Sequence, residues 1–286
     1  MERFCIITNR DKDKSMAVTK RIAGLLRAGG KQVCLADVHY RKDGSCYTRA
    51  EDVPKETECV VVLGGDGTLL QAAHDLSGRE LPIFGINLGT LGFLAETEVT
   101  ELEGAFAKLF AGQYEIREQM MLSVKVCAGG QERELSDALN DLVITRCGFS
   151  RVIGVGVSIN GELVNDYRGD GVIIATPSGS TGYSLSAGGP IVSPSSNMMV
   201  ITPICPHSLN ARSIVVSDTD TVMVTVRTSK KTQTEEAIAT VDGRDSVNLC
   251  AEDCVKVCRA VRTTKLVRLS GGSFYQMLGT KLNGST

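Results

Sequence analysis

No apolar run in this 286-residue sequence reaches the roughly 18–20 residues that a membrane-spanning helix requires. The opening MERFCIITNRDKD has no apolar stretch of the secretory kind, so a cytoplasmic location is expected. A strong charge imbalance is missing too. With 31 basic and 33 acidic residues the net charge is −2, which provides no electrostatic footprint for nucleic acid or an anionic membrane, so any anionic ligand has to be held locally. The three histidines form no HExxH. Neither GxxxxGK(S/T) nor a GxGxxG opening a strand-to-helix turn occurs, so P-loop and hydride-transfer chemistries lose their main supports. The catalytic loop and DFG of protein kinases are absent as well.

Cysteine is plentiful, at ten residues, but no CxxC pair or nearby histidine completes a zinc set. Most lie in apolar runs, Cys5, Cys34, Cys59, Cys127 and Cys205 among them, and read as buried reduced thiols. Cys250, Cys254 and Cys258 recur at a spacing that aligns three thiols on one face of a helix or strand. Without a fourth ligand, no dedicated metal site is expected.

A hydrophobic content of 42% supplies core material for two domains. The first third alternates strand and helix signals: a strand at 4–8, a helix opening at Ser15 with Val18, Ile22, Leu25 and Leu26 on one face, a strand at 32–36, an apolar strand at 59–63, a helix at 69–76 and a strand at 82–86. This rhythm implies a doubly wound sheet with right-handed crossovers. After a helix at 101–110 the pattern becomes alternating, as in Leu122, Val124, Val126 and again in Val222, Val224, Val226, which indicates half-buried antiparallel strands. Asn160-Gly161 between two such runs signals a type I′ hairpin. The expectation is therefore an α/β N-terminal domain (1–118, with 271–286 as a candidate return) carrying a Rossmann-like doubly wound sheet, followed by a mainly-β domain (119–270).

Chemistry concentrates in two segments. GGDGT at 64–68 links an apolar strand to a helix, where glycines admit a ligand to the backbone and helix-start amides favour phosphate. An aspartate in such a turn repels phosphate unless it accepts a proton from an attacking hydroxyl or holds Mg²⁺, so the segment points to phosphoryl transfer. The plain structural alternative is an Asp-Gly turn with a helix cap. The second segment, TPSGSTGYSLSAGGP at 176–190, is rich in hydroxyls and amides and has one aromatic, which suits a nucleotide; its bland alternative is a flexible linker.

GGDGTLL, LNDLVITR (139–146), DYRGDG (166–171), TPSGSTGYSLSAGGPIV (176–192) and ICPHSLNAR (204–212) together resemble the ordered motif set of the NAD kinases, and the closing SFYQMLGTKL is similar to the family's tail. The first 50 residues match only in pattern. The resemblance implies a phosphotransferase to an alcohol group that moves the terminal phosphoryl of ATP, or of polyphosphate, to the adenosine ribose 2′-hydroxyl of NAD. It implies Asp66 as general base, with Gly64, Gly65 and Gly67 admitting phosphates and a divalent cation, Mg²⁺ first. It implies dinucleotide contacts from Asn140, Asp141, Arg151, Arg168 and Asp170, and from Ser178, Thr181, Gly182, Tyr183, Ser184, Leu185 and Ser186, with Tyr183 stacking on adenine. A homodimer or homotetramer is expected, with small-molecule partners only and neither nucleic acid nor membrane.

Two positions depart from the family's pattern. Arg244 stands where many relatives have glutamine, and Gly182 where the loop often has alanine. His207 and Asn210 lie in a segment that in relatives approaches a neighbouring subunit's dinucleotide; a buried structural histidine is an equally good reading of His207. The rivals are a lipid kinase of the diacylglycerol or sphingosine type, which also carries GGDGT, and a dinucleotide sensor without turnover, which would have no need of a base at Asp66.

Overall fold

The computed structural model describes residues 1–41, 46–89, 92–148, 152–208, 210–227, 237–270 and 273–283. The chain divides into two compact units, Met1–Glu118 with Thr264–Thr286, and Gln119–Thr263. Among the described residues no helix is long and apolar enough to cross a membrane.

The first unit is built on a parallel sheet. Strand Arg3–Thr8 pairs with Gln32–Leu35 on one side and with Cys59–Gly64 on the other, and Cys59–Gly64 pairs in turn with Ile83–Asn87. The chain thus leaves its first strand toward one edge and returns on the opposite side. That reversal makes the space beyond the carboxyl ends of Arg3–Thr8 and Cys59–Gly64 a topological switch point, where doubly wound sheets bind ligands. Cys59–Gly64 is buried along its whole length, as a central strand covered on both faces must be.

Helix Ala17–Ala28 buries Thr19, Ile22, Ala23 and Leu26. It begins two residues later than Ser15 because Met16 is left-handed, with φ 56°, and the Asp13 carboxylate accepts the amides of Val18 and Thr19 at 3.4 and 2.9 Å, placing an anion at the positive end of the helix. Helix Leu102–Phe110 buries Leu102, Ala105, Phe106 and Leu109. Together with Phe4, Ile6, Val61, Leu63, Phe84 and Ile86 these side chains form the core of the unit.

The second unit is a pair of antiparallel sheets. One has the strand order Ile214–Ser217, Met198–Ile204, Gly171–Ala175, Asp141–Arg146, Ala237–Val241, Asp245–Leu249. In the other, Ile153–Ile159 pairs with Glu162–Gly169 and with Val222–Arg227. Leu142, Ile144, Val172 and Ile174 of the first meet Val155, Val157, Val222 and Val224 of the second in one core. The alternate residues Ile173, Ala175 and Val200 pack with Val192 in a separate cluster, so strand Gly171–Ala175 is apolar on both faces. Asn160 and Gly161 take φ values of 52° and 90°, the left-handed pair that a type I′ hairpin requires.

Cys5 and Cys59 are buried, whereas Cys205 and Cys250 are exposed. Cys205 departs from the reading as a buried thiol because it follows the last residue of strand Met198–Ile204 in a left-handed conformation, φ 43°.

Candidate active site

In the first unit the segment 64–68 is the junction of strand Cys59–Gly64 and helix Asp66–Asp75, with Gly65 as N-cap. A side chain cannot be added at Gly64, since its Cβ would stand 2.2 Å from Thr68 Oγ1; the turn closes only on glycine. Gly67 is exposed, and a Cβ there would meet nothing within 4 Å, so folding places no demand for glycine at that position. Asn9, just past the first strand, ties the turn down: its amide donates to Leu63 O at 2.8 Å and its Nδ2 to Thr68 Oγ1 at 3.1 Å.

Asp66 occupies the first helical residue. Its carboxylate accepts three backbone amides from a distant turn: Phe93 at 2.8 Å on Oδ2, and Leu94 and Ala95 at 3.0 Å each on Oδ1. A carboxylate offers about four acceptor positions. With two donors on Oδ1 and one on Oδ2, Oδ2 keeps a position to which a hydroxyl can donate. The side chain is thus held in one orientation at a helix N-terminus, fixed without being used up.

Two further groups border this turn, and nothing in local periodicity marked either. Lys12 Nζ lies 3.1 Å from where a Gly65 Cβ would stand, which sets a cation beside the helix N-terminus, a suitable pairing for phosphate. Asn87 is only 2% exposed, and its Oδ1 lacks any hydrogen-bond partner while Nδ2 donates to Gly89 O at 2.8 Å. A buried amide oxygen left in this condition calls for a donor or a cation.

In the second unit, Asp141 starts strand Asp141–Arg146 and Asn140 immediately precedes it. The preceding turn is gripped from both sides. Asp242 accepts the amides of Leu139, Asn140 and Asp141 at 2.7, 2.9 and 2.8 Å. Thr176 donates its hydroxyl to Leu139 O at 2.6 Å and its amide to Asn140 O at 2.8 Å. Gly179 packs so closely that a Cβ there would fall 2.0 Å from Asn140 O. Asn140 Oδ1 is buried with no partner. Burial, and then the charge of Asp242, push the Asp141 carboxyl up to about 7. This pair therefore offers an unpaired acceptor beside a carboxyl poised to hold a proton at neutral pH, a set suited to a ligand rich in hydroxyl and amide groups.

The segment 176–190 is not a loose loop. Gly179–Thr181 forms a 3-10 turn and Tyr183–Ser186 a helical turn. Its order comes from hydroxyls satisfied within the segment and by neighbouring side chains: Ser178 donates to Gln119 Oε1 at 2.9 Å, Ser180 to Pro177 O at 2.7 Å, Thr181 to Ser178 O at 3.0 Å, and Ser184 exchanges a 2.9 Å bond with Thr202. Ser178 and Ser184 are buried, while Tyr183 and Ser186 are exposed and Gly182 and Leu185 half-buried. The Gly182 Cβ position stands 3.8 Å from Asn140 Nδ2 and 4.0 Å from Asp141 Oδ2, which brings this segment against the Asn-Asp pair.

The other candidates are more dispersed. Arg168 is exposed on strand Glu162–Gly169, and its carbonyl accepts the His207 amide at 2.8 Å. Asp170 is engaged by Arg146 Nε at 2.7 Å. Arg151 lies outside the described residues. His207 is exposed, which removes the reading as a buried structural histidine; it stands in the connection that follows strand Met198–Ile204, past the end of the sheet.

A glycine-rich strand-to-helix turn at the switch point of a doubly wound sheet, with a β-sandwich unit beside it in sequence, defines an α/β-plus-β class suited to nucleotides. The chain matches the ATP-NAD kinase N-terminal domain over residues 4–114 and the ATP-NAD kinase C-terminal domain over residues 139–269. It is 55% identical to an NAD kinase of Lachnoclostridium phytofermentans, covering 98% of this chain and 99% of that one, and 40% identical to an NAD kinase of Lachnospira eligens, covering 99% and 100%. Among solved structures, an Archaeoglobus fulgidus NAD kinase in complex with ATP superposes with a TM-score of 0.79 at 26% identity, covering 98% of each chain. Yeast NADH kinase complexed with NADH shares the fold, with a TM-score of 0.82 at 24% identity, covering 100% of this chain and 89% of that one. The chain belongs to the NAD kinase family.

Proposed function

We propose that this protein transfers the terminal phosphoryl group of ATP to the adenosine ribose 2′-hydroxyl of NAD, giving NADP, with Asp66 as general base. The observation that carries the proposal is the Asp66 carboxylate, held by three amides at a helix N-terminus with a position on Oδ2 open to a hydroxyl donor. Proton removal by a positioned carboxylate adds about 10²–10⁴-fold to rate, and the remainder of such a reaction is positioning and charge neutralisation.

The roles divide between the units. Gly65, Gly67 and Lys12 receive the donor's phosphates through helix-start amides and an ammonium. Asn140 and Asp141, with Thr181, Tyr183 and Ser186, receive the dinucleotide, Tyr183 offering its exposed ring as a stacking surface. Ser178 and Ser184 act by anchoring the segment, because their hydroxyls are buried and bonded to Gln119 and Thr202. The unpartnered Asn87 Oδ1 near Gly65 is a hard oxygen donor that suits a divalent cation such as Mg²⁺ held mainly by the donor phosphates. When bound, that cation would neutralise charge on the donor phosphates.

The family resemblance further supports polyphosphate as an alternative donor and a homodimer or homotetramer in the cytoplasm. The test of the reaction is ³¹P and ¹H NMR of the product made from NAD, ATP and Mg²⁺. A new phosphomonoester on the adenosine 2′-oxygen is expected. ATP hydrolysis with NAD left unmodified would overturn the proposal.

A further inference from the structure

Among the described residues of the first unit Arg268 is a buried cation, at 8% exposure, and it lies 202 positions from Asp66 in sequence. Its Nη1 donates to Leu94 O at 3.1 Å and pairs with Glu96 Oε1 at 2.8 Å, and its Nη2 donates to Phe93 O at 3.2 Å. The amides of Phe93, Leu94 and Ala95 hold Asp66, and those of Leu94 and Ala95 share a peptide group with the two carbonyls that Arg268 engages. The 93–95 turn is therefore gripped on both sides, its N–H groups by a carboxylate and its carbonyls by a guanidinium. Peptide groups bonded at both ends polarise one another, so a cation on the carbonyls strengthens donation from the amides. The charge of Asp66 also acts on Arg268.

Stability alone is a poor explanation for this pair. Burial pushes the Glu96 carboxyl up even against the attraction of Arg268, and pushes Arg268 down, so desolvation outweighs the pairing on both sides. Buried ion pairs of this kind are often no more stabilising than apolar residues of the same size. What Arg268 supplies that an apolar residue would not is a planar fork that fixes two carbonyls and one carboxylate at once. The turn has little other freedom, because a Cβ at Gly85 would meet Ala95 Cα at 3.0 Å and one at Gly92 would meet Asp66 Oδ1 at 1.8 Å.

We propose that Arg268 is the positioning residue for Asp66, setting the orientation of the catalytic carboxylate through the 93–95 turn, with Glu96 holding the guanidinium in place. The proposal rests on Asp66 as the base.

The experiment is a double-mutant cycle in NADP formation with Arg268→Lys, Arg268→Met, Glu96→Gln and Asp66→Asn, each checked for thermal unfolding. Arg268→Lys is expected to lower kcat by about 10-fold and Arg268→Met by about 100-fold, the scale of a misplacement near 1 Å, with KM for NAD and ATP within about twofold of wild type, since the loss is confined to the transition state. In the Asp66→Asn background, removing Arg268 is expected to cost nothing further. A purely structural role predicts lowered unfolding temperatures with wild-type kcat in the folded protein, or full additivity with Asp66→Asn; either result overturns the proposal. If Arg268→Met fails to fold, Arg268→Lys and Glu96→Gln carry the test. Absence of NADP formation by the wild-type protein would instead refute the functional reading and take this proposal with it.

Discussion

Asp242 accepts the backbone amide of Asp141 at 2.8 Å while its charge helps to keep the buried Asp141 carboxyl near neutrality. One carboxylate thus fixes the main chain of its neighbour and also sets its protonation. Asp242 and Gly243 are both left-handed, with φ values of 47° and 70°, which aims the Asp242 side chain back at the 139–141 turn. Replacing Asp242 by Asn puts an amide group against donors that need an acceptor, and loss of charge-assisted bonds costs about 1.5–3 kcal/mol. The expected outcome for Asp242→Asn is a KM for NAD raised about tenfold, equivalent to about 1.4 kcal/mol, with KM for ATP unchanged. Steady-state kinetics with each substrate varied checks this, and an equal rise in both constants would contradict it.

Asp141 gives the protein a specific pH dependence. Its folded pKa of about 7 lies above the unfolded carboxylate value near ~3.9, so folding favours the protonated form. Its contribution to stability is complete below that unfolded value and is lost as pH rises toward and through 7. Asp141→Asn removes the effect. Relative to wild type, the variant is expected to gain on the order of a few kcal/mol between pH 4 and pH 8, measured by urea unfolding at both pH values. A difference that stays constant or runs the other way would contradict the assignment.

Gly92 leaves room for the base. Its Cβ would lie 1.8 Å from Asp66 Oδ1, so Gly92→Ala has to displace the carboxylate. A drop of about 10²-fold in kcat is expected, with unfolding temperature changed much less than by Gly64→Ala, where a Cβ meets Thr68 Oγ1 at 2.2 Å.

Gly67 separates ligand from fold. Because a Cβ there meets nothing within 4 Å in a helical position, Gly67→Ala should leave stability unchanged or raise it by up to about 1 kcal/mol. KM for ATP is nevertheless expected to rise, if phosphates approach the backbone at this position. An unaltered KM would remove Gly67 from the donor site.

The parts of the fold that sequence made legible are those governed by local rules. The apolar run ending in Gly64-Gly65 fixed a strand-to-helix turn because both elements have a strong period and glycine marks the change, and Asn160-Gly161 declared a hairpin by its conformational preference. The grip of Asp242 on residues 139–141 and of Arg268 on Phe93 and Leu94 was not legible. Those contacts join side chains to backbone groups across 101–103 and 174–175 positions and leave no periodic trace. Ser178 and Ser184 illustrate the same gap, since nothing local distinguishes a hydroxyl that bonds a remote side chain, here Gln119 and Thr202, from one that faces a ligand.

The most direct test of the account is NADP formation from NAD, ATP and Mg²⁺ by wild-type protein and by Asp66→Asn, with NAD binding measured on both. The account predicts turnover by the wild type, a loss of at least about 10²-fold in the variant, and NAD affinity preserved within about twofold, since the carboxylate acts on the proton transferred in the transition state. Near-normal turnover by a folded Asp66→Asn protein would contradict it.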